Sequence, residues 1–523
     1  MTRFGLASIL ALAACAAVYL SGLTYSPVYL LNDEVFSALQ AVSLATTGRS
    51  LAGDFLPVFF RGLEFSPGRD PVYIYATALT LKVLPISELA LRLPTAIVGL
   101  SCIALVDMTA WELWRRRDAA LLAAAMFAVT PAHFINSRIG IPTMWAIPCV
   151  LAWTIGLLRY ADGRQLRILF WSMAALGSAV LSYFGTAVIV PLYVAGTLVW
   201  LRFALGERTL RPYLVALAGL ALPLLFLAYW QLVHPERWRE LAHYYFVDQE
   251  TSRTGTSLFA AGARWPNFAA IQERVTTYWN HFDPSFLFLG GDHSPRYSTG
   301  RSGVFPLAAA VLLPIGIYRA AHESRSGRLL VYCLLCTPLV ASLSGQVQIQ
   351  RTLPLVVFGS LLTTWGLLSL LGHQTRGIRR AGVILLLTIA LQAVVFTYDY
   401  FGHYRLRSGE SRGGNLRGAF TEVVAAAPER ARPVLYLSNT IPNVSVYWRF
   451  YQLAMDARGL VPRTELVNPG DLAAAQAPAG ALLIALAEEP LGDPAGANGS
   501  WRLRRRIYEL DGPTFYSVYE KVE

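Results

Sequence analysis

Apolar runs of about 20 residues, the length that carries a helix across a bilayer, recur along most of this 523-residue chain. They fall at about 5–23, 88–113, 118–135, 142–158, 168–183, 187–204, 213–232, 304–319, 328–344, 353–371 and 381–398. The pattern predicts a polytopic α-helical membrane protein with about eleven transmembrane helices.

Five arginine groups separate the runs. They are Arg115–Arg117; Arg159, Arg164 and Arg167; Arg202, Arg208 and Arg211; Arg319, Arg325 and Arg328; and Arg376, Arg379 and Arg380. Basic residues concentrate in cytoplasmic loops, so all five groups are expected inside, with the N-terminus cytoplasmic and the C-terminus outside. The first run is long for a signal-peptide core, and Ser21-Gly22-Leu23-Thr24 is a weak cleavage site. It reads as an uncleaved span. The expected location is the bacterial inner (cytoplasmic) membrane, multi-pass, with a periplasmic C-terminal domain.

Three outer segments, 24–87, 233–303 and 399–523, exceed ordinary helix connections and lie on one side, where the chemistry is expected. In the first, Val35, Phe36, Leu39, Val42 and Thr46 recur at helical spacing. Asn32 and Asp33 are read as its cap and Gly48 as its stop. Val72–Leu84 reads as a helix too short to span, lying at the interface. The tail, 401–523, reads as a small soluble α/β domain following a transmembrane domain, 1–400. It has helices at 416–427 and Val446–Arg458 with Gly459 as a stop, strands at Val434–Ser438 and Leu482–Leu486, and a hairpin of Arg504–Leu510 with Thr514–Val522.

Composition supports the membrane reading. The chain is 54% hydrophobic and only 15% charged, against about 25% charged in soluble domains. All but Lys82 and Lys521 of the 44 basic residues are arginine, and the net charge is +11. A nucleic-acid binder would gather that charge on one domain. Here it is dispersed between apolar runs, so no nucleic-acid partner is expected. Five cysteines all lie in apolar runs. Cys333 and Cys336 form a C-x-x-C without a second ligand pair, which argues against a zinc or redox site. No His/Asp/Glu cluster has ligand spacing, so no metal or other cofactor is expected.

The candidate chemistry is sparse. Asp33 and Glu34 are adjacent carboxylates just after the first span. Such a group can take a proton from an attacking hydroxyl, although acids in a first helical turn also offset the dipole. Arg138 and Arg351 sit at the outer ends of spans and break the positive-inside pattern. A guanidinium there suits a bound phosphate, or snorkels to the headgroups. Tyr278–Phe288, followed by Gly290-Gly291-Asp292 and Arg296-Tyr297-Ser298, is aromatic and charged. Its rings suit interface anchoring, but its His281, Asp292 and Arg296 do not.

The order of these features resembles glycosyltransferase family 39, the dolichyl-phosphate-mannose:protein mannosyltransferase type of the GT-C membrane fold. It resembles the bacterial lipid A aminoarabinose transferases more distantly. The resemblance runs over about residues 5–400. It rests on Asn32-Asp33-Glu34, Gly48-Arg49, Gly53, Pro57, Asp70-Pro71-Val72-Tyr73-Ile74-Tyr75 and Leu91-Arg92-Leu93-Pro94. Pro131, His133, Ser137-Arg138, the block from Tyr278 to Gly303, and Arg351 with Pro354 complete it. It implies a GT-C transmembrane domain and inverting transfer of a sugar from a polyprenyl-phosphate donor. Asp33 would be the catalytic base and Glu34 its assistant. Arg138, Arg351, His281 and Arg296 would hold the donor phosphate, and Asp70, Tyr73 and Asp292 would contact substrate. The implied partners are a lipid-linked sugar donor, an acceptor glycan, lipid or protein, and membrane lipids. Where many relatives carry an acid after Ser-Arg, this chain has Ile141-Pro142-Thr143. The alternative functions are a transporter or flippase of lipid-linked sugars, for which no paired broken helices are seen, and a scaffold whose tail binds a partner.

Overall fold

The computed structural model describes residues 13–61, 70–235, 267–427, 433–468, 477–489 and 501–522. The chain divides into two compact units. One comprises Met1–Ser21, Ala52–Ala76 and Arg92–Asp399; the other comprises Gly22–Leu51, Thr77–Leu91 and Tyr400–Glu523.

The first unit is a helical bundle. Among the described residues, six helices are long and apolar enough to cross a membrane: Glu88–Trp114, Pro142–Gly163, Leu210–Val233, Arg325–Leu343, Leu353–Leu371 and Arg376–Arg407. A seventh span results if Arg117–Ala128 and Pro131–Ser137, bent by 65°, count as one. The bend falls where Pro131 lacks an amide proton and its ring would strike the preceding turn. The expected spans near 168–183, 187–204 and 304–319 are also helical, but shorter, at Leu166–Ser182, Ile189–Ala204 and Ala309–Glu323. Helix at 13–20 covers part of the first expected span; its start lies outside the described residues.

Burial separates centre from periphery. Leu353–Leu371 has 83% of its most apolar window buried, whereas Arg376–Arg407 has 17% and Leu210–Val233 has 22%. Leu225, Phe226, Leu387, Leu391 and Val394 are exposed on the last two. So much uncovered apolar surface requires hydrocarbon around it. The central helix packs on Ala309–Glu323 through glycines. A Cβ on Gly316 would stand 1.7 Å from the Leu362 carbonyl oxygen, and one on Gly366 2.0 Å from that of Leu312. Small residues let backbones approach where lipid supplies no hydrophobic drive.

Four of the arginine groups share one end of this bundle. Arg115 pairs with Asp162 at 2.5 Å, Arg159 with Glu112 at 2.8 Å and Arg164 with Glu207 at 2.8 Å. Arg325 donates to the Ala204 carbonyl at 2.8 Å.

The second unit contains the soluble domain. Strands β1 (Val434–Ser438), β2 (Arg463–Val467), β3 (Leu482–Leu486), β4 (Trp501–Tyr508) and β5 (Thr514–Lys521) form one sheet in the order β2-β1-β3-β5-β4. β1 is parallel to β2 and β3; β5 is antiparallel to β3 and β4. β1 is buried throughout, with a period-free apolar run as a strand covered on both faces requires. The helices are Leu416–Ala426 and Val444–Ala454. The second stops earlier than the expected Arg458. Its cap is Met455, and Asp456 turns left-handed at φ 52°, so Gly459 is not the stop.

Residues 22–51 and 77–91 belong to the same unit as the tail. Tyr447 donates to the Leu30 carbonyl at 3.0 Å, and Ser26 Oγ to that of Tyr400 at 2.8 Å. Glu88, 7% exposed, accepts from Tyr451 at 2.7 Å and Arg417 at 3.1 Å. Two earlier segments, 22–51 and 77–91, thus share a compact unit with the tail, held by buried polar groups that need these partners.

Candidate active site

The carboxylate pair lies in the second unit. The helix forms at Asn32–Thr47 and ends at Gly48, which takes φ 72° and donates its amide to Leu44. Its start differs from the expected cap. Leu31 is the N-cap, and Asn32 and Asp33 stand in the first turn. Glu34 reaches back so that its Oε2 accepts the Leu31 amide at 2.8 Å, which satisfies one of the helix's orphan donors. Glu34 is fully buried, and its Oε2 faces Arg412 at 3.9 Å, which is also fully buried. The neighbouring Asp33 is half-buried. The two acids thus differ in kind: Glu34 is committed to the fold, and Asp33 stands at the helix's partly open first turn.

Arg412 was not among the sequence candidates. It lies 378 positions from Glu34, in Ser411-Arg412-Gly413-Gly414. Only its placement in a glycine-rich turn outside the arginine-rich loops could have marked it.

The remaining candidates lie in the first unit. Arg138 is fully buried at the end of Pro131–Ser137. Its Nη1 donates to the carbonyls of Tyr19 at 2.7 Å and Val18 at 3.2 Å, and its Nη2 to that of Ser21 at 2.7 Å. These carbonyls end the first helix, where the dipole is negative, so the guanidinium acts as its C-terminal cap. Asp70 is buried, and its Oδ1 accepts the Phe184 amide at 2.8 Å, fixing the turn Phe184–Ala187. Tyr73 is fully buried with its ring 6.1 Å from that of Trp145.

Asp292 joins two loops. Its Oδ1 accepts the Ser294 amide and its Oδ2 the Ile349 amide, each at 2.8 Å. The loop bearing exposed Arg296 is thereby tied to the turn Ile349–Arg351, in which Arg351 Nε donates to Gln348 Oε1 at 2.9 Å. Burial raises the Asp292 carboxyl above its ordinary range, against the two amide hydrogen bonds that favour the anion.

His281 is buried at the end of Phe268–Asn280. Its Nδ1 lies 2.8 Å from the Thr277 carbonyl. A carbonyl only accepts, so Nδ1 carries the proton and Nε2 presents a lone pair. Nε2 has no hydrogen-bond partner among the described residues. Burial lowers the imidazole's pKa, although the Thr277 carbonyl opposes this. A neutral ring offers an acceptor rather than a positive charge. Among the described residues no three His, Cys, Asp or Glu side chains gather as a metal site.

Part of the sequence and the whole fold resemble those of known proteins. Residues 67–230 match the sequence profile of the family described as Dolichyl-phosphate-mannose-protein mannosyltransferase. No curated protein matches the sequence at a significant level. Among solved structures, ArnT from Cupriavidus metallidurans bound to undecaprenyl phosphate matches with a TM-score of 0.64 at 14% identity, over 99% of this chain and 98% of that one. The same protein in the apo state matches with a TM-score of 0.63 at 14% identity, over 98% of each chain. The chain has the fold of the GT-C membrane glycosyltransferases, transmembrane helices and C-terminal sheet domain together.

Proposed function

We propose that this protein is a membrane glycosyltransferase that moves a sugar from a polyprenyl-phosphate donor to an acceptor on the outer face of the inner membrane. The observation that carries this reading is the end-to-end correspondence with the fold of an undecaprenyl-phosphate-binding protein. The acceptor is a protein, a glycolipid or an envelope polysaccharide.

The reaction is a single displacement. Asp33 takes the proton from the acceptor hydroxyl, whose oxygen attacks the anomeric carbon. The bond from that carbon to the phosphate oxygen breaks, and polyprenyl phosphate leaves. Configuration at the anomeric carbon inverts. Glu34 holds the backbone of the turn that presents Asp33. Arg351 and Arg296, on the two loops that Asp292 ties together, neutralise the departing phosphate. His281, held neutral, accepts a hydrogen bond from the donor rather than contributing charge. Arg138 caps the first helix, and Asp70 holds the turn Phe184–Ala187.

The test is to incubate the purified protein with a panel of polyprenyl-phosphate sugars and membrane extract, then determine the anomeric configuration of the product by NMR. Inversion is expected. Retention, or no product from a panel on which a related enzyme turns over, would overturn the reading.

A further inference from the structure

The arginine-rich end of the bundle carries a groove that the transfer reaction does not use. It measures about 290 Å³ and lies between Ile189–Ala204 and Arg325–Leu343. Its walls include Val199, Trp200, Phe203 and Leu329, with Arg325 and Arg328 at the rim. The walls are pinned. Tyr332 donates to the Leu192 carbonyl at 2.8 Å, Trp200 Nε1 to the Arg325 carbonyl at 3.1 Å, and Arg325 to the Ala204 carbonyl at 2.8 Å. Gly196 admits the Tyr332 ring, since a Cβ there would stand 2.3 Å from it. Below this crossing, Trp200–Ala204 forms a π-turn, a distortion that often marks function.

The two arginines that line this groove differ from most of the arginines around them, which are paired, and share their lack of an acidic partner among the described residues with Arg167, Arg208 and Arg211. At the same end Arg115, Arg116, Arg117, Arg159 and Arg164 each face a carboxylate, as does Arg319. Among the described residues neither Arg325 nor Arg328 has an acidic partner, and Arg202 lies over the Phe203 ring at 5.7 Å. Val199 is 56% and Phe203 79% exposed, which in a membrane means facing lipid. A cationic rim above an apolar, lipid-facing cleft complements a phosphate attached to hydrocarbon chains.

We propose that this groove binds an anionic diacyl phospholipid of the leaflet on the arginine-rich side, its headgroup phosphate on Arg328 and an acyl chain along Val199 and Phe203. Arg325 serves mainly to hold the wall, because its guanidinium already bonds Ala204. The proposal stands whether or not the proposed transfer reaction is correct.

Native mass spectrometry of the full-length protein, with phosphatidylglycerol or phosphatidylcholine added at equal concentration, tests the proposal. Wild type is expected to retain phosphatidylglycerol preferentially. Arg328→Glu should lower that retention roughly fivefold or more, and Val199→Trp should lower it by filling the cleft. Arg319→Ala, at an arginine already paired, should leave it unchanged. Both groove positions are exposed, and melting curves in lipid-free detergent should match wild type. Phosphatidylglycerol should then raise the melting temperature of wild type but not of Arg328→Glu. Equal retention by wild type and both groove variants would overturn the proposal. So would undecaprenyl phosphate displacing phosphatidylglycerol from wild type but not binding Arg328→Glu, which would assign the groove to the carrier lipid.

Discussion

Replacing Arg412 with methionine tests the link between the tail and the turn that carries Asp33. Arg412 and Glu34 are both fully buried, with 3.9 Å between Nη1 and Oε2. At that separation and an effective dielectric of about 20, their attraction is about 4 kcal/mol before desolvation. Methionine fills similar volume but leaves a buried carboxylate without that charge, a change that typically costs about 3–5 kcal/mol. Arg412 also donates to Tyr404 Oη at 3.4 Å, a long bond that adds little. Adding Glu34→Gln to Arg412→Met removes the stranded charge and should recover at least half of the loss. The assay is thermal unfolding of the full-length protein in detergent, with hydrogen exchange followed across residues 22–51. Exchange should rise there in the single variant and fall back in the double. A loss below about 1 kcal/mol, or strictly additive single effects, would show that the two groups do not interact.

Three further outcomes follow from the geometry. Arg138→Lys should lower stability by about 2–4 kcal/mol, since an ammonium cannot span the three carbonyls of Val18, Tyr19 and Ser21. Its donor KM should stay within about twofold of wild type, while a raised KM at unchanged stability would make Arg138 a phosphate ligand instead. Glu422 loses solvation by burial, but hydrogen bonds from Arg504 at 2.9 Å and Arg505 at 2.8 Å prevail and hold its carboxyl below the ordinary glutamate range. The stability it contributes is therefore present above that range and lost as pH falls through the depressed value. Glu422→Gln should flatten this acid limb in melts recorded from neutral to low pH, and an unchanged limb would refute the assignment. Gly366→Leu should cost about 3 kcal/mol or more, or abolish folded yield in size-exclusion chromatography, because its Cβ would enter the space of the Leu312 carbonyl.

What could be read in advance depended on how local the cause was. Gly48 as a helix stop, the buried strands Val434–Ser438 and Leu482–Leu486, and the central span 353–371 announce themselves within a few residues. β2 escaped because Arg463–Val467 is an exposed edge with mixed polarity and no apolar alternation. Its identity comes from pairing with β1, not from its own sequence. The joining of 22–51 and 77–91 to the tail escaped for the same reason. Glu88 and Tyr451 are 363 positions apart, and neither has a pattern that names the other. Within the candidate site, Asp33 and Glu34 were legible as a pair, but their different environments were not. That difference depends on Arg412 and on the Leu31 amide. Arg138 stood out in the sequence as an arginine in an unusual place. The three carbonyls that explain it become visible only when the first helix is set beside it.

The most direct test of the central claim compares wild type with Asp33→Asn. Each purified protein is given a polyprenyl-phosphate sugar and acceptor membranes, and release of free polyprenyl phosphate is followed by mass spectrometry. Wild type is expected to release polyprenyl phosphate and Asp33→Asn to lose at least about a hundredfold of that rate, with unchanged melting temperature. An Asp33→Asn protein that folds normally and releases polyprenyl phosphate at the wild-type rate would contradict the assignment of Asp33 as the base.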